Sequence, residues 1–319
     1  MRLKLVPKNT SWNFFSRSKV WIGLSIILVV LSLISFFVQS LNFGIDFRGG
    51  TSIRTESSEP INVAAYRSAL SSLDLGDITI SEVFDPSFEA DQNVAMIRIQ
   101  AQPGQEAATS ILVENSLQKL KVVSKNIKFV SVESVGPKVS GELIRTAIIA
   151  VILAISAVLF YIWIRFEWQF AVGAISALIH DVILTIGIFS LLQIKFDLAI
   201  IAAILTIVGY SLNDTVVVFD RVRENLRKFK KRSLIEVMNL SINETMSRTV
   251  MTSVTTLLAL ISLFVLGGDV IRGFVFAMIW GVVVGTYSSI FIASAILLWT
   301  GVKRDWTKPN AEAGTQVPQ

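Results

Sequence analysis

The sequence predicts a mainly α membrane protein: a six-transmembrane helix bundle with an external α+β domain of ferredoxin-like βαββαβ order inserted between helices 1 and 2. Three observations carry this expectation. The 319 residues are 52% hydrophobic and only 17% charged, against about 25% charged in soluble domains. Apolar runs long enough to cross a bilayer, about 20 residues each, recur along the chain. One segment, residues 39–141, instead alternates strand-like and amphipathic helical patterns.

Composition also narrows the chemistry. Without cysteine there is no thiol nucleophile, disulfide or cysteine metal site, and a single histidine, His180, leaves no zinc cluster. The sequence therefore points to no metal, no cofactor and no enzyme activity. The net charge of +5 belongs to a membrane protein that concentrates Lys and Arg in cytoplasmic loops.

In chain order, residues 1–19 form a basic cytoplasmic N-terminus, carrying Arg2, Lys4, Lys8, Arg17 and Lys19 with no acid. The apolar run 20–38 exceeds the roughly 7 to 15 residues of a signal-peptide core and reads as a retained first span. Residues 39–141 follow as the external domain. There Asn42 to Arg54 reads as extended, Ile61 to Leu73 as a helix, Ile78 to Phe84 and Val94 to Gln100 as strands, Gln105 to Leu120 as a helix and Ile127 to Val135 as the last strand. This is the split βαβ order.

Further spans are expected at 142–164, 168–192, 198–219, 249–266 and 273–299, the second to fourth joined by tight turns. Residues 220–248 are expected to form a cytoplasmic loop. Seven Lys and Arg fall between Arg221 and Arg232, directly after a span, as in a topology determinant rather than a nucleic-acid patch. Ser233 to Ser247 is amphipathic and is expected to lie along the cytoplasmic surface. Residues 300–319 form a polar cytoplasmic tail. Six spans put both termini inside, so Ser57 and Ala90 are expected outside and Lys230 and Lys308 inside.

The chain is organised around Ile200 to Arg223, an apolar run holding the carboxylate of Asp214. A bare carboxylate there costs roughly 2.5 to 3.5 kcal/mol on insertion scales. Thr206, Tyr210, Asn213 and Asp214 recur at helical spacing on one polar face. The carboxylate serves a proton or ion relay, a substrate contact or a structural hydrogen bond between helices. Thr245, Arg248, Thr249, Thr252 and Thr256 form a second stripe, making Arg248 either a counter-ion for Asp214 or a snorkelling residue at the membrane edge. His180 and Asp181 sit in the middle of the third span. Asp181, with Ala177 and Thr185 one turn either side, is a second relay group or a hydrogen-bond partner, whereas His180 reads as packed and neutral. Gly281 and Gly285 form a GxxxG pattern for close packing, within the chain or against a partner. Gly44 to Gly50, with Asp46, Gly49 and Gly50, lacks the ending of a phosphate-binding loop. Its glycines are expected to allow a bend, as are Gly136 and Pro137 where the chain returns.

Four stretches, GIDFRGG, ESVGPKVSGEL, SLNDTVVVFDRVRENLR and NETMSRTVMTSVTTL, occur in an order that resembles the SecF family of protein-export membrane proteins, over about residues 12–305. The resemblance implies half of a resistance-nodulation-division-type transporter in the bacterial inner membrane, with a periplasmic domain and cytoplasmic termini. It also implies a SecD-like subunit, the SecYEG translocon and a translocating polypeptide as partners, besides membrane lipid and no nucleic acid. It assigns a relay driven by the proton motive force to Asp214 and Arg248, with Asn213, Thr252 and Asp181 in support and protons as the coupling ion. A proton-driven exporter of small molecules or lipids, or a passive scaffold, is the competing reading.

Overall fold

In a computed structural model of the protein, residues 10–302 are described, except 74, 76, 77, 87, 90 and 101–108. The expectations for residues 1–9, Ala90, Gln105 to Ala108 and the tail 303–319, with Lys308, lie outside the described residues.

Among the described residues, six helices are long and apolar enough to cross a membrane. They are α1 (Ser18–Gln39), α5 (Pro137–Arg165), α6 (Trp168–Leu192), α7 (Leu198–Lys228), α8 (Leu234–Leu266), and a composite of α9 (Gly268–Ser288), a π-helical turn Ser289–Ala293 and α10 (Ser294–Thr300). The sixth, third and fourth are buried over 67%, 50% and 44% of their apolar windows, whereas the first, second and fifth reach only 11%, 6% and 11%. Helices α6, α7 and α9 therefore form the centre of the bundle, and the rest line its outside.

Between α1 and α5 the chain forms β1 (Asn42–Phe43), α2 (Ile45–Arg48), β2 (Gly50–Ser57), α3 (Val63–Leu70), β3 (Ile78–Val83), β4 (Asn93–Gln100), α4 (Thr109–Leu120) and β5 (Lys128–Val135). From β2 onward the order is βαββαβ, and the antiparallel sheet runs β3-β4-β2-β5. The first and third strands are central, the ferredoxin-like arrangement. Ile53, Ile97, Tyr66, Leu70 and Leu120 fill the space between sheet and helices.

The extended reading of Asn42 to Arg54 is corrected by α2, a one-turn helix inside the GIDFRGG stretch. Gly44 precedes it with extended backbone, and Gly49 (φ 74) and Gly50 (φ 134) turn the chain into β2 through conformations a side chain disfavours. Gly44 itself has an ordinary φ of −71. Its constraint is contact, since a Cβ there would lie 2.8 Å from Lys195 Cε. Gly136 needs no glycine conformation, at φ −69 with open space where a Cβ would stand, while Pro137 begins α5 at the first turn, where its missing N–H costs nothing. The short turn at Ile194 to Asp197 contains β6 (Lys195–Phe196), paired parallel with β1.

The cytoplasmic loop expected over 220–248 shrinks to residues 229–233, because α7 runs to Lys228 and α8 starts at Leu234. At about 1.5 Å per residue these helices extend about 46 and 50 Å, well beyond a hydrocarbon core about 30 Å thick. Ser233 and Glu236 close a capping box at the start of α8, and no Gly or Pro interrupts it before Gly267. The amphipathic stretch expected to lie on the membrane surface is thus the first half of a continuous helix. Its apolar face, Val237, Met238 and Ile242, packs with Val218, Phe219, Val222 and Leu226 of α7 rather than with lipid. The last span begins at Gly268 instead of 273 and carries the π turn, which nothing in its apolar pattern signals.

Gly281 and Gly285 are spent inside the chain. A Cβ on Gly281 would collide with Ile207, and one on Gly285 would lie 3.0 Å from Ser211 Cβ, so the pair lets α9 approach α7. Gly281→Leu is expected to force these helices apart and lower stability by more than the 1 to 3 kcal/mol typical of overpacking. Thermal unfolding of the solubilised protein checks this. A melting temperature equal to that of the parent protein contradicts the packing role.

Candidate functional site

Two apolar cores lie at different depths in the bundle. One joins Phe189, Ala203, Ile204, Ile207 and Ala277; the other joins Ala174, Ala177, Phe219, Met246 and Ala293. In chain order on α6, α7 and the last span, the buried polar residues Asp181, Ser211, Asp214, Thr215, Ser288 and Ser289 fall between them.

Asp181 is the hub of this layer and is 1% exposed. Ser211 Oγ of α7 donates to its Oδ2 at 2.7 Å, Ser288 Oγ of α9 donates to the same oxygen at 2.8 Å, and His180 Nδ1 lies 3.0 Å from Oδ1. One carboxylate thereby ties the three central helices together. Beside it Thr215 and Ser289 share a hydrogen bond of 2.8 Å, and Ser289 also donates to the Ser211 carbonyl at 3.2 Å. Ser289 opens the π turn. Such turns re-aim side chains, and here the turn sits against the polar layer. His180 is buried as expected for a packed residue, with its ring 6.1 Å from Tyr287 and Nε2 without a partner among the described residues.

Asp214 lies one turn from Ser211 along α7, about 24 Å from the start of that helix at 1.5 Å per residue. It is 3% exposed. Unlike Asp181, its carboxylate has no hydrogen-bond partner or ion pair among the described residues, and Oδ2 is fully buried. Tyr210 Oη, Thr249 Oγ1 and Trp280 Nε1 are likewise buried without partners. The layer thus contains one satisfied carboxylate and one unsatisfied carboxylate. An unpaired buried charge is costly, so the two carboxylates are not equivalent.

The sequence stripes separate in three dimensions. Asn213 is exposed, and Thr206 is exposed and bonded to its own helix at Ala202 O, 2.8 Å away. Neither faces into the layer with Asp214. On α8, Thr245 and Thr249 are buried, whereas Thr252 and Thr256 are half-buried, and Thr252 donates to the Thr249 carbonyl at 2.9 Å. Arg248 is exposed and makes no ion pair with Asp214 among the described residues. Ser211, Ser253 and Ser289 escaped the sequence reading. Serine is common on apolar helices, and only the small-residue spacing Gly281, Gly285, Ser288, Ser289 signalled a close-packed face.

At the other end of α7, Asp46 Oδ2 accepts the Leu198 N–H at 3.1 Å. Asp197, the residue at the N-cap position of α7, makes no capping bond of its own, so the GIDFRGG stretch caps the helix that carries Asp214. Gly44 N–H donates to Phe196 O at 2.8 Å. A second attachment joins the sheet domain to the α8–α9 corner, where Asp269 Oδ2 accepts the Phe84 N–H at 2.7 Å.

The family described as protein export membrane protein SecD/SecF, C-terminal, matches residues 115–303, and the SecD/SecF GG motif matches residues 34–61. The chain belongs to the SecD/SecF family. It is 59% identical over 315 residues to the protein translocase subunit SecF of Cereibacter sphaeroides, covering 99% of this chain and 97% of that one. It is 57% identical to the SecF subunit of Rhodobacter capsulatus, covering 97% and 95%. Among solved structures, SecDF from Thermus thermophilus superposes with a TM-score of 0.80 at 34% identity, and SecDF in its super-membrane-facing form with 0.69 at 35%. Each match covers 94% of this chain and 40% of the SecDF chain, so this chain spans less than half of those solved proteins. The SecD/SecF GG motif spans the α2 turn, and the C-terminal match contains the whole polar layer.

Proposed function

We propose that this chain is a SecF-type subunit of the protein-export machinery, paired in the bacterial inner membrane with a SecD-like subunit. Together they use the proton motive force to assist polypeptides moving through a SecYEG-type translocon. The observation that carries this reading is Asp214, a carboxylate buried inside a span with no partner among the described residues, one turn from the hydrogen-bonded Asp181 hub. The work is conformational and requires no covalent step or cofactor. The coupling ion is the proton, the termini are cytoplasmic and the sheet domain is periplasmic.

Protonating Asp214 removes the cost of its unpaired charge, so the packing of α7 against α8 and α9 has two charge states to respond to. Asp46 and Phe196 at the far end of α7 and Asp269 after α8 pass such a shift to the external domain. A proton falling through 100 mV supplies about 2.3 kcal/mol, enough for a few protons to bias a two-state rearrangement. Arg248 acts from the rim as the fixed positive charge.

Two measurements test this. The chain should copurify with a second six-span subunit, and membrane vesicles lacking it should lose the gradient-stimulated part of precursor export. Export equally stimulated without it returns the chain to a scaffold. For the latch, Asp46→Ala should cost about 1 kcal/mol, as for a lost N-cap, and speed amide exchange at residues 198–201 with insertion intact. Unchanged exchange there rules the cap out.

A further inference from the structure

Two cavities meet at the α2 turn. The first, about 430 Å³, is an apolar groove between α5 and the start of α7, lined by Phe43, Phe47, Phe196, Ala147, Val151 and Ile201, with Arg48 at one end. From Ile144 to Ile152 it follows α5 for about two helical turns. The second, about 160 Å³, contains Arg48 and Arg98 with Asn42 and Thr79, and shares Phe43 and Arg48 with the groove.

Arg48 is exposed and Arg98 half-buried. Neither forms an ion pair among the described residues. Arg98, on β4, reaches only Met96 Sδ at 3.4 Å, and its Nε is buried with no partner. Burial lowers the pKa of Arg98, and the carboxylate of Asp197 acts in the opposite sense. The neighbouring carboxylates are otherwise engaged, Asp46 in the cap of α7 and Asp197 with Lys195 at 3.3 Å. What remains is an excess of positive charge at the head of an apolar slot beside the sheet domain. The buried Nε of Arg98 is a donor without an acceptor and calls for one, and guanidinium groups suit phosphate.

We propose that this is a binding site for one anionic phospholipid, with its phosphate between Arg48 and Arg98 and an acyl chain along α5. Arg48, Arg98 and Lys195 against Asp46 and Asp197 leave an excess of one positive charge, which favours an anionic headgroup over a zwitterionic one. A helix of a partner subunit would fill the groove but leave the guanidinium groups without an anion.

The test is native mass spectrometry of the full chain, purified in mild detergent and titrated with phosphatidylglycerol or phosphatidylcholine. One phosphatidylglycerol should stay bound, with phosphatidylcholine weaker by at least about tenfold, the size of one charge-assisted contact. Arg48→Ala and Arg98→Ala should each lose a similar factor. Ala147→Trp, which fills the groove and replaces neither arginine, should do the same and guards against a folding defect in Arg98→Ala. Equal retention of both lipids, retention unchanged in Ala147→Trp, or protection of the arginines by inorganic phosphate alone would overturn the proposal. So would a cysteine at Ile148 that crosslinks to a protein partner in native membranes and is shielded from a lipid-soluble reagent.

Discussion

Asp214→Asn is expected to insert and fold normally while losing the gradient-stimulated part of precursor export. Asparagine keeps the volume of the side chain and adds a donor, so it fits a site where the carboxylate has no partner to lose. It cannot alternate between charged and neutral forms, and that alternation is the whole of the proposed drive. A structural carboxylate predicts the opposite. Interhelical hydrogen bonds in membranes contribute about 0.6 kcal/mol on average and rarely more than about 2, a loss that asparagine would largely repair. The measurement is export into inverted vesicles with and without an imposed proton gradient, at matched amounts of inserted protein. Full stimulation by the variant would end the relay reading. Arg248→Ala should reduce stimulation less completely, because Arg248 is exposed and makes no ion pair with Asp214 among the described residues.

Replacing the other buried acid should damage the fold instead of the coupling. Asp181→Ala leaves Ser211, Ser288 and His180 without their acceptor at the centre of α6, α7 and α9. Each abandoned buried donor costs about 1 to 3 kcal/mol, so the loss is on the order of several kcal/mol. The expected outcome is a marked fall in melting temperature and in the amount of protein surviving in the membrane. Asp181→Asn keeps an acceptor for the two serines and, with His180 accepting at Nδ1, keeps the third contact as well. It should stay near parental stability and retain gradient-stimulated export. A folded Asp181→Asn that fails to couple would make Asp181 a titrating member of the relay. The two acids thus separate by readout, melting temperature for Asp181 and gradient dependence for Asp214.

Their difference was not available from spacing. Both are single carboxylates in apolar helices, and a helical wheel placed Asp214 with Thr206, Tyr210 and Asn213. That grouping spans too wide an arc of α7: Asp214 turns into the bundle while Thr206 and Asn213 turn out of it. The same limit applied to the α8 stripe, where Thr245 and Thr249 are buried and Arg248 is not. Periodicity says which residues share a side of a helix. It does not say which side meets a neighbour.

What the sequence by itself determined was the architecture and the candidates. The bilayer leaves few options for long apolar runs, since backbone groups there must be bonded within the segment, so the helices and the inserted βαββαβ domain were legible from period and length. The four family stretches and the cost of Asp214 in lipid were equally legible, because each is carried by residue type and order. Tertiary structure decided which carboxylate is satisfied, that Asp46 caps α7, that the Gly281 pair packs within the chain, and that α8 continues through the stretch read as a surface helix. The first three depend on contacts between residues far apart in sequence. A hydrogen bond such as Ser288 to Asp181, across 107 positions, exists only once three helices have set their rotation and height against one another, and local pattern contains no measure of either.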